Sequence, residues 1–376
     1  MINVKNYIVL FITIITFLSF ILLTAIAQEG QIVRKRVYSP SLEGNLLGDS
    51  PNNRNVTIYL PPSYDIEPDR FYPTVYLLHG FGSNNDGWVA SDSENILESM
   101  KQWLKEGKVE EMILVMPNSS NKFIGSQYIN SIATGNWGDY IAKDIVNYID
   151  NNYRTLPNRE SRAVFGHSMG GHGAIRIGLT YNEIFSCMGA TAGDYDIEDY
   201  INSNKVMWAI SSALEDWNHY RSSGWDIWGA MSWNAAFAPN PDHPPFYCDS
   251  PFIYTKTEPK EIVKNQEAYD KFLKNDIIKN LNSYLDKLLT MRSIYIDCGT
   301  GDELGLTKHA RKLHDGLNNL GIKHTYNEFT GGHTCCVMDS TGNALELFSS
   351  AMDFEVLTGV KPVKKLTVSW GYIKNR

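Results

Sequence analysis

Short apolar runs alternate with amphipathic segments along most of the chain. Residues 74–78 and 112–116 are continuous apolar runs, which is typical of strands buried on both faces of a parallel sheet. Residues 55–60 instead alternate at period two and end at two prolines, which predicts an edge strand. Residues 140–153 carry apolar side chains at helical spacing. Strands that alternate with helices in this way predict βαβ units and an α/β fold with a mostly parallel central sheet flanked by helices.

The same alternation continues toward the carboxyl end. A helix is predicted over 91–106, with Ser91 and Glu94 as a capping box, and another is predicted to end at Gly321. The further predicted elements are strands at 162–165, 186–190, 293–298 and 324–329 and a last helix over 344–357.

Residues 195–290 interrupt this rhythm. The stretch holds Trp208, Trp217, Trp225, Trp228 and Trp233 and a proline-rich segment. A run of this length between sheet strands is usually functional, so we interpret it as an aromatic-rich insertion that covers the mouth of the site. The alternative is that most of these rings form the core of the insertion itself, with one or two lining a substrate cleft.

The first 27 residues are predicted to be a signal peptide. Lys5 precedes an apolar run that ends in Ala25-Ile26-Ala27, which is the pattern of a secretory leader. The run is also long enough to span a bilayer, so an uncleaved membrane anchor is the alternative. Either way we expect a secreted or periplasmic catalytic domain over 28–360, followed by a tail at 361–376.

Composition narrows the possible partners. The chain has 376 residues, a formal net charge of −8 and 43% hydrophobic residues, which suits one large globular domain with an insertion or two small domains. The net negative charge does not suggest a basic surface of the kind that binds nucleic acid. A small-molecule or polysaccharide ester is the expected partner, and a membrane only if the leader is uncleaved.

Five cysteines are an odd number for an exported protein. Cys187 and Cys298 lie in strand-like runs and are expected to be small buried side chains. One bridge from Cys298 to Cys335 or Cys336 is predicted. A metal site is not expected, because no C-x₂-C spacing occurs.

The pattern Gly166-His167-Ser168-Met169-Gly170 lies between a predicted strand and a predicted helix. This context is that of the nucleophile elbow of α/β-hydrolases, where a tight turn presents the serine hydroxyl above the sheet. Glycines on both sides of the serine allow the close approach of backbone that the turn needs. Ser168 is therefore the candidate nucleophile.

Acyl transfer through serine also requires a base and an acid, which in this fold follow in the order Ser, Asp or Glu, His. Asp302 and His333 each lie in a glycine-rich loop just after a predicted strand, where sites of parallel sheets gather. Asp194, after the strand that follows the elbow, is the alternative acid. Asp297 is expected in packing and Glu303 is expected to face solvent.

Two backbone N–H groups are expected to bind the oxyanion. One belongs to Met169, directly after the nucleophile. The other is assigned to Phe81, which lies in a glycine-flanked loop after the first buried strand.

Motifs in several segments can be considered together: 60–64, 76–80 with Trp88, 166–171, 299–302 and 331–333. They resemble the Putative esterase (esterase D-like) family, which includes feruloyl and acetylxylan esterases, S-formylglutathione hydrolase and mycolyltransferases. The resemblance implies a serine esterase with Ser168, Asp302 and His333 as its triad and without a metal cofactor.

Export and the aromatic insertion favour feruloyl or acetyl esters of plant-type polysaccharides as substrates, with Trp88, Asp194, Trp225 and Trp233 as candidate substrate-binding residues. The alternatives are a general esterase or thioesterase for small substrates, a mycolyltransferase-like acyltransferase, and a non-catalytic carbohydrate-binding relative.

Overall fold

The protein is described from a computed structural model, which covers residues 29–49, 54–89 and 95–355. The predicted leader at 1–27 and the tail at 361–376 lie outside these ranges and stay predictions. Within the described ranges, no helix is long and apolar enough to cross a membrane.

An eight-stranded sheet forms the centre of the fold. Its strands are β1 Gln31–Val37, β2 Arg54–Leu60, β3 Thr74–Leu78, β4 Ile113–Pro117, β7 Arg162–His167, β8 Cys187–Thr191, β11 Ser293–Gly299 and β12 Thr325–Phe329. They lie in the order β1-β2-β4-β3-β7-β8-β11-β12. β1 and β2 pair antiparallel, as do β2 and β4, and all other pairs of this sheet are parallel. The mostly parallel sheet predicted from the apolar runs is thereby confirmed.

Helices cover both faces of the sheet, because strands such as β3 and β4 are buried at every residue and need an apolar layer on each side. Two short strand pairs, Asn130–Ser131 with Gly135–Asn136 (β5, β6) and Phe252–Tyr254 with Ile262–Lys264 (β9, β10), lie outside the main sheet. The α-helices are α1 Ile96–Lys105, α2 Trp137–Asp139, α3 Val146–Asn152, α4 Met169–Thr180, α5 Ile197–Ser203, α6 Lys205–Ser212, α7 Trp217–Ser222, α8 Trp225–Phe237, α9 Gln266–Leu273, α10 Leu285–Leu288, α11 Thr307–Asn319 and α12 Val337–Ala351, with a π-helical segment at Tyr140–Ile145 between α2 and α3.

The prediction that residues 55–60 form an edge strand is wrong. β1 pairs with the outer side of β2 over seven residues, so that β2 is an internal strand with five consecutive buried residues. The two prolines follow the last residue of β2, where they end the strand without marking an edge. β1 carries three basic residues and is mostly exposed, as is common for an edge strand.

Two helix boundaries differ from the predicted ones. α1 begins after Asn95, whose side chain accepts a hydrogen bond from the backbone N–H of Glu98; the predicted cap at Ser91 lies outside the described residues. α12 begins at Val337, seven residues before the predicted start. The end predicted at residue 357 lies outside the described residues as well.

The aromatic segment at 195–290 contains helices α5 to α10 and contributes to two apolar clusters, which include Trp208, Trp217 and Trp228. These three rings pack within the insertion, as the alternative interpretation of the sequence expected. Trp225 and Trp233 line the cavity at the carboxyl edge of the sheet, and Trp233 also belongs to the cluster around Trp208.

Candidate active site

The turn between β7 and α4 has the backbone strain of a nucleophile elbow. Ser168 precedes α4 and adopts φ 58° and ψ −121°, a region that non-glycine residues avoid. A side chain at Gly166 would lie 2.1 Å from the carbonyl oxygen of Gly170, and one at Gly170 would lie 2.0 Å from that of Leu78. Only glycine fits at these two positions, so the motif is required by the packing of strand against helix.

Ser168, His333 and Asp302 meet at the carboxyl edge of the sheet. The hydroxyl Oγ of Ser168 lies 2.8 Å from Nε2 of His333, and Nδ1 of His333 lies 2.8 Å from Oδ2 of Asp302. The loops that carry them follow β7, β12 and β11, which belong to the four consecutive parallel strands β7-β8-β11-β12. With Nδ1 protonated, Nε2 of His333 can accept the hydroxyl proton of Ser168.

The carboxylate of Asp302 is held from its other side by backbone. Its Oδ1 accepts hydrogen bonds from the N–H groups of Leu304 at 2.9 Å and Leu306 at 3.3 Å. Burial raises the pKa of Asp302, but the His333 bond and these two N–H groups more than offset that effect, so its pKa lies below the ordinary value. The ionised form is the one that accepts from Nδ1 of His333.

Two further side chains hold the backbone of His333, and the sequence did not reveal either of them. Nε2 of His167 lies 2.9 Å from the carbonyl oxygen of His333. The N–H of His333 donates to Oε2 of Glu303 at 2.8 Å. Glu303 is exposed, as predicted, yet it also accepts this bond, which makes it a positioning residue for the imidazole.

Asp194, the alternative acid, is engaged with a different histidine. Its Oδ1 lies 2.8 Å from Nδ1 of His309, whose Nε2 lies 3.2 Å from Asp199. His309 lies on the amphipathic helix α11, where a surface position is the simplest expectation, but its side chain is buried. The carboxylates of Asp194 and of Asp199 on α5 lie against it. The geometry therefore favours Asp302 as the partner of His333.

The two residues expected to bind an oxyanion lie beside the serine. A side chain at Gly80 would lie 3.4 Å from Cβ of Ser168, and Gly125 lies against the side chains of both Phe81 and Met169. Within the described residues, the N–H groups of Phe81 and Met169 donate to no other protein atom. Both donors are thus available to a developing negative charge, and their role stays a prediction.

A cavity of about 480 Å³ opens above Ser168, which is within the range of small-molecule sites. Trp88, Asp194, Trp225 and Trp233, the four candidate substrate-binding residues, all line it. Trp225 is 56% exposed and contacts Phe81 edge to face at 4.9 Å between ring centroids. Their contact with a substrate stays a prediction.

The sequence profile of the Putative esterase family matches residues 49–336. The chain belongs to this family. The resemblance identified from the motifs is confirmed, and all three members of the triad fall within the matched residues. An esterase chemistry accords with the serine, imidazole and carboxylate described above.

Individual relatives are distant. Esterase Rv1288 of Mycobacterium tuberculosis is 26% identical over 293 residues, which are 75% of this chain and 52% of that protein. An acetyl esterase of Caldicellulosiruptor saccharolyticus is 23% identical over 286 residues, 74% of this chain and 84% of that protein. A solved ferulic acid esterase has a TM-score of 0.59 at 18% identity, covering 86% of this chain and 99% of its own. The chain thus spans about half the length of the mycobacterial relative, and the structural likeness shows the shared α/β-hydrolase fold.

The predicted bridge from Cys298 is wrong for this family member. Cys335 and Cys336 are bonded to each other by a disulfide. Because the two residues are adjacent in the sequence, this bond does not require distant parts of the chain to come together. The thiol of Cys298 is buried in the core and lies 3.6 Å from Oδ2 of Asp302. Cys187 is a buried free thiol, as expected.

Replacing Phe81 with proline, which deletes the proposed oxyanion donor, is expected to lower turnover by about 10²- to 10³-fold. Steady-state kinetics on p-nitrophenyl acetate would measure the loss. Phe81→Ala is the matched control, because it removes the ring and keeps the N–H, and it should retain turnover within about tenfold of the unmodified protein. A folded Phe81→Pro variant with the same turnover as Phe81→Ala would exclude this N–H from the oxyanion site.

Stability of this esterase-family protein should fall at acidic pH through its buried histidines. Burial lowers the pKa of His79 and of His172 to about 4, whereas an unfolded histidine titrates near 6.5. The unfolded chain binds more protons between these values, so the contribution is complete above about pH 6.5 and is lost as pH falls toward 4. From pH 7 to 4.5 we expect each histidine to cost about 2 kcal/mol of unfolding free energy, measured by urea titration.

The variant His79→Gln isolates this effect. The imidazole accepts from the N–H of Ser119 and contacts the carbonyl oxygen of Gly80, and a glutamine amide has both an acceptor and a donor but does not titrate. Its loss of stability between the two pH values should be about 2 kcal/mol smaller. An equal loss in both proteins would show that His79 does not contribute.

Proposed function

We propose that this protein is an exported serine carboxylesterase that works through an acyl-enzyme, with Ser168 as nucleophile, His333 as base and Asp302 as the acid that orients the base. The observation that carries the proposal is the unbroken hydrogen-bond chain from Ser168 through His333 to Asp302, 2.8 Å at each step. Membership of the Putative esterase family and similarity to relatives named as esterases support the chemistry.

In the first half of the reaction, Oγ of Ser168 attacks the ester carbonyl while its proton passes to Nε2 of His333. The oxyanion is held by the N–H groups of Phe81 and Met169. Collapse of the tetrahedral intermediate breaks the ester C–O bond, and Nε2 of His333 returns its proton to the leaving alcohol. Water then attacks the acyl-enzyme by the same route, which releases the acid and restores Ser168.

We propose feruloyl or acetyl esters of plant-type polysaccharides as the substrates. The cavity supports this proposal, because its lining joins the catalytic groups to the rings of Trp88, Trp225 and Trp233, and flat aromatic faces suit both phenolic acids and sugar rings. The acetyl esterase and the ferulic acid esterase described above, one related in sequence and the other in fold, also support it. Export is proposed from the leader-like pattern of residues 1–27.

A substrate profile of the protein lacking residues 1–27 tests the proposal. We expect kcat/KM for methyl ferulate or acetylated xylan to exceed that for S-formylglutathione by at least about tenfold, since a cleft matched to one acyl group discriminates by this factor or more. Activity confined to short p-nitrophenyl esters would contradict the polysaccharide assignment. Transfer of the acyl group to a sugar acceptor in place of water would identify an acyltransferase.

A further inference from the structure

His172 presents an unused hydrogen-bond acceptor one turn after the nucleophile. Its Nδ1 lies 2.7 Å from the carbonyl oxygen of Asp194, and a carbonyl oxygen only accepts, so Nδ1 carries the proton. Burial lowers the pKa of His172 to about 4, so the ring is neutral and Nε2 keeps a free lone pair. This buried Nε2 has no partner within the described residues.

Gln127 presents a second unused acceptor, and its orientation is determined by its neighbours. The hydroxyl of Ser232 donates its single proton to the carbonyl oxygen of Gly125 at 2.8 Å. The same hydroxyl oxygen must therefore accept the bond from Nε2 of Gln127 at 2.9 Å, which leaves Oε1 on the opposite side of the amide. Oε1 of Gln127 is buried and, among the residues described, has no donor.

Both residues line the cavity above Ser168, together with Tyr200 and Trp233. The rings of His172, Trp233 and Tyr200 form one aromatic side of the cavity, called the aromatic wall below. The ring centroids of His172 and Trp233 are 5.8 Å apart, and those of Trp233 and Tyr200 are 5.4 Å apart at an interplanar angle of 30°. Gln127 itself holds a left-handed backbone conformation, φ 55°, and such strain in a non-glycine residue clusters at ligand sites. Two buried acceptors that no protein group of the described residues satisfies are unfavourable, so a bound group that donates hydrogen bonds would stabilise them.

We propose that Nε2 of His172 and Oε1 of Gln127 form a hydroxyl-binding subsite, which selects substrates whose acyl group is an aromatic acid bearing a free hydroxyl. The assignment to the acyl group follows from the aromatic wall, against which a flat ring can stack while a ring hydroxyl donates its proton to one of the two acceptors and a second hydroxyl or a water donates to the other. The inference rests on the proposed esterase function and decides between its two substrate classes, in favour of hydroxycinnamoyl over acetyl esters.

The experiment compares methyl 3,4-dihydroxycinnamate with methyl cinnamate and with methyl 3,4-dimethoxycinnamate, which keep the ester and the alcohol constant. The measured quantity is the kcat/KM of the dihydroxy ester divided by that of methyl cinnamate. We expect this ratio to be about 10 to 100 in the unmodified protein, because analogues that lack the donor leave the buried acceptors unpaired. The dimethoxy ester, whose oxygens cannot donate, should be at least as poor a substrate as methyl cinnamate.

Two variants test the residues separately. His172→Phe keeps a ring and Gln127→Met keeps an unbranched chain, and each removes one acceptor, so each should lower the ratio at least about threefold. His314→Phe is the matched control: the same substitution on α11, where His314 stacks on Tyr326 at 4.3 Å between ring centroids, should leave the ratio unchanged. Should either variant fail to fold, the comparison of free with methylated hydroxyls in the unmodified protein still decides the question.

The outcomes separate this inference from the function on which it rests. Hydrolysis of p-nitrophenyl acetate with a ratio near 1 would overturn the subsite while leaving the esterase in place, and would mean that only water meets the two acceptors. No hydrolysis of any ester would overturn the function itself. If His172→Phe changes the preference for a sugar acetate over methyl acetate but leaves the ratio unaltered, the hydroxyl belongs to the alcohol, and the assignment to the acyl group is wrong.

Discussion

Replacing Ser168 with alanine is expected to lower kcat on p-nitrophenyl acetate by about 10⁶-fold, and by at least about 10⁴-fold where the oxyanion site alone still assists water. The reason is that the variant has no oxygen 2.8 Å from Nε2 of His333, so no acyl-enzyme can form. Labelling by a fluorophosphonate, which captures an activated serine, should disappear in parallel.

Ser203→Ala provides the control for this loss. Ser203 is the exposed last residue of α5, and its replacement should leave both turnover and labelling unchanged. Alanine at 168 removes no hydrogen bond of the fold other than that of the hydroxyl, so the variant should unfold at the same temperature. Persistent labelling of a folded Ser168→Ala protein would place the nucleophile elsewhere.

Asp302→Asn should lower kcat by about 10⁴-fold while leaving the fold intact. The N–H groups of Leu304 and Leu306 hold the Oδ1 side of this residue, so the amide nitrogen of the variant must occupy the Oδ2 side and donate to Nδ1 of His333. The imidazole proton then moves to Nε2, and the ring can no longer accept the proton of Ser168.

Asp194→Asn is the informative comparison, because it makes the same chemical change at the alternative acid. Its carboxylate pairs with His309 and not with His333, so we expect a loss at least about a hundred times smaller than that of Asp302→Asn. Pre-steady-state measurement of acylation would assign the defect to the chemical step. The reverse order of the two effects would show that Asp194 orients the base.

The strands, the elbow and the order of the catalytic residues could be predicted because each depends on local pattern. A five-residue apolar run such as 74–78 needs burial on both faces wherever the chain places it. Gly166 and Gly170 flank the serine because backbone approaches there leave no room for a side chain. Loops at the carboxyl ends of parallel strands lie along one edge of the sheet, so the convergence of Asp302 and His333 on Ser168 could also be anticipated.

Contacts between distant segments could not be predicted in this way. β2 is not the edge strand of the sheet, because β1, which has little apolar pattern, pairs with it. His309 on α11 is buried because the carboxylates of Asp194 and Asp199 lie against it. In a single sequence, a histidine on an amphipathic helix carries no sign of such partners.

Local sequence determined which residues could form the catalytic site. These are the serine between the two elbow glycines and the residues of the two glycine-rich loops that follow β11 and β12. Tertiary structure alone decided how they are held, with His167 and Glu303 on the backbone of His333 and Cys335 bonded to Cys336. It also brought His172 and Gln127, far apart in the chain, to one cavity. The physical reason is that hydrogen-bond partners and burial are properties of three-dimensional neighbours, which the spacing of residues along a chain does not encode.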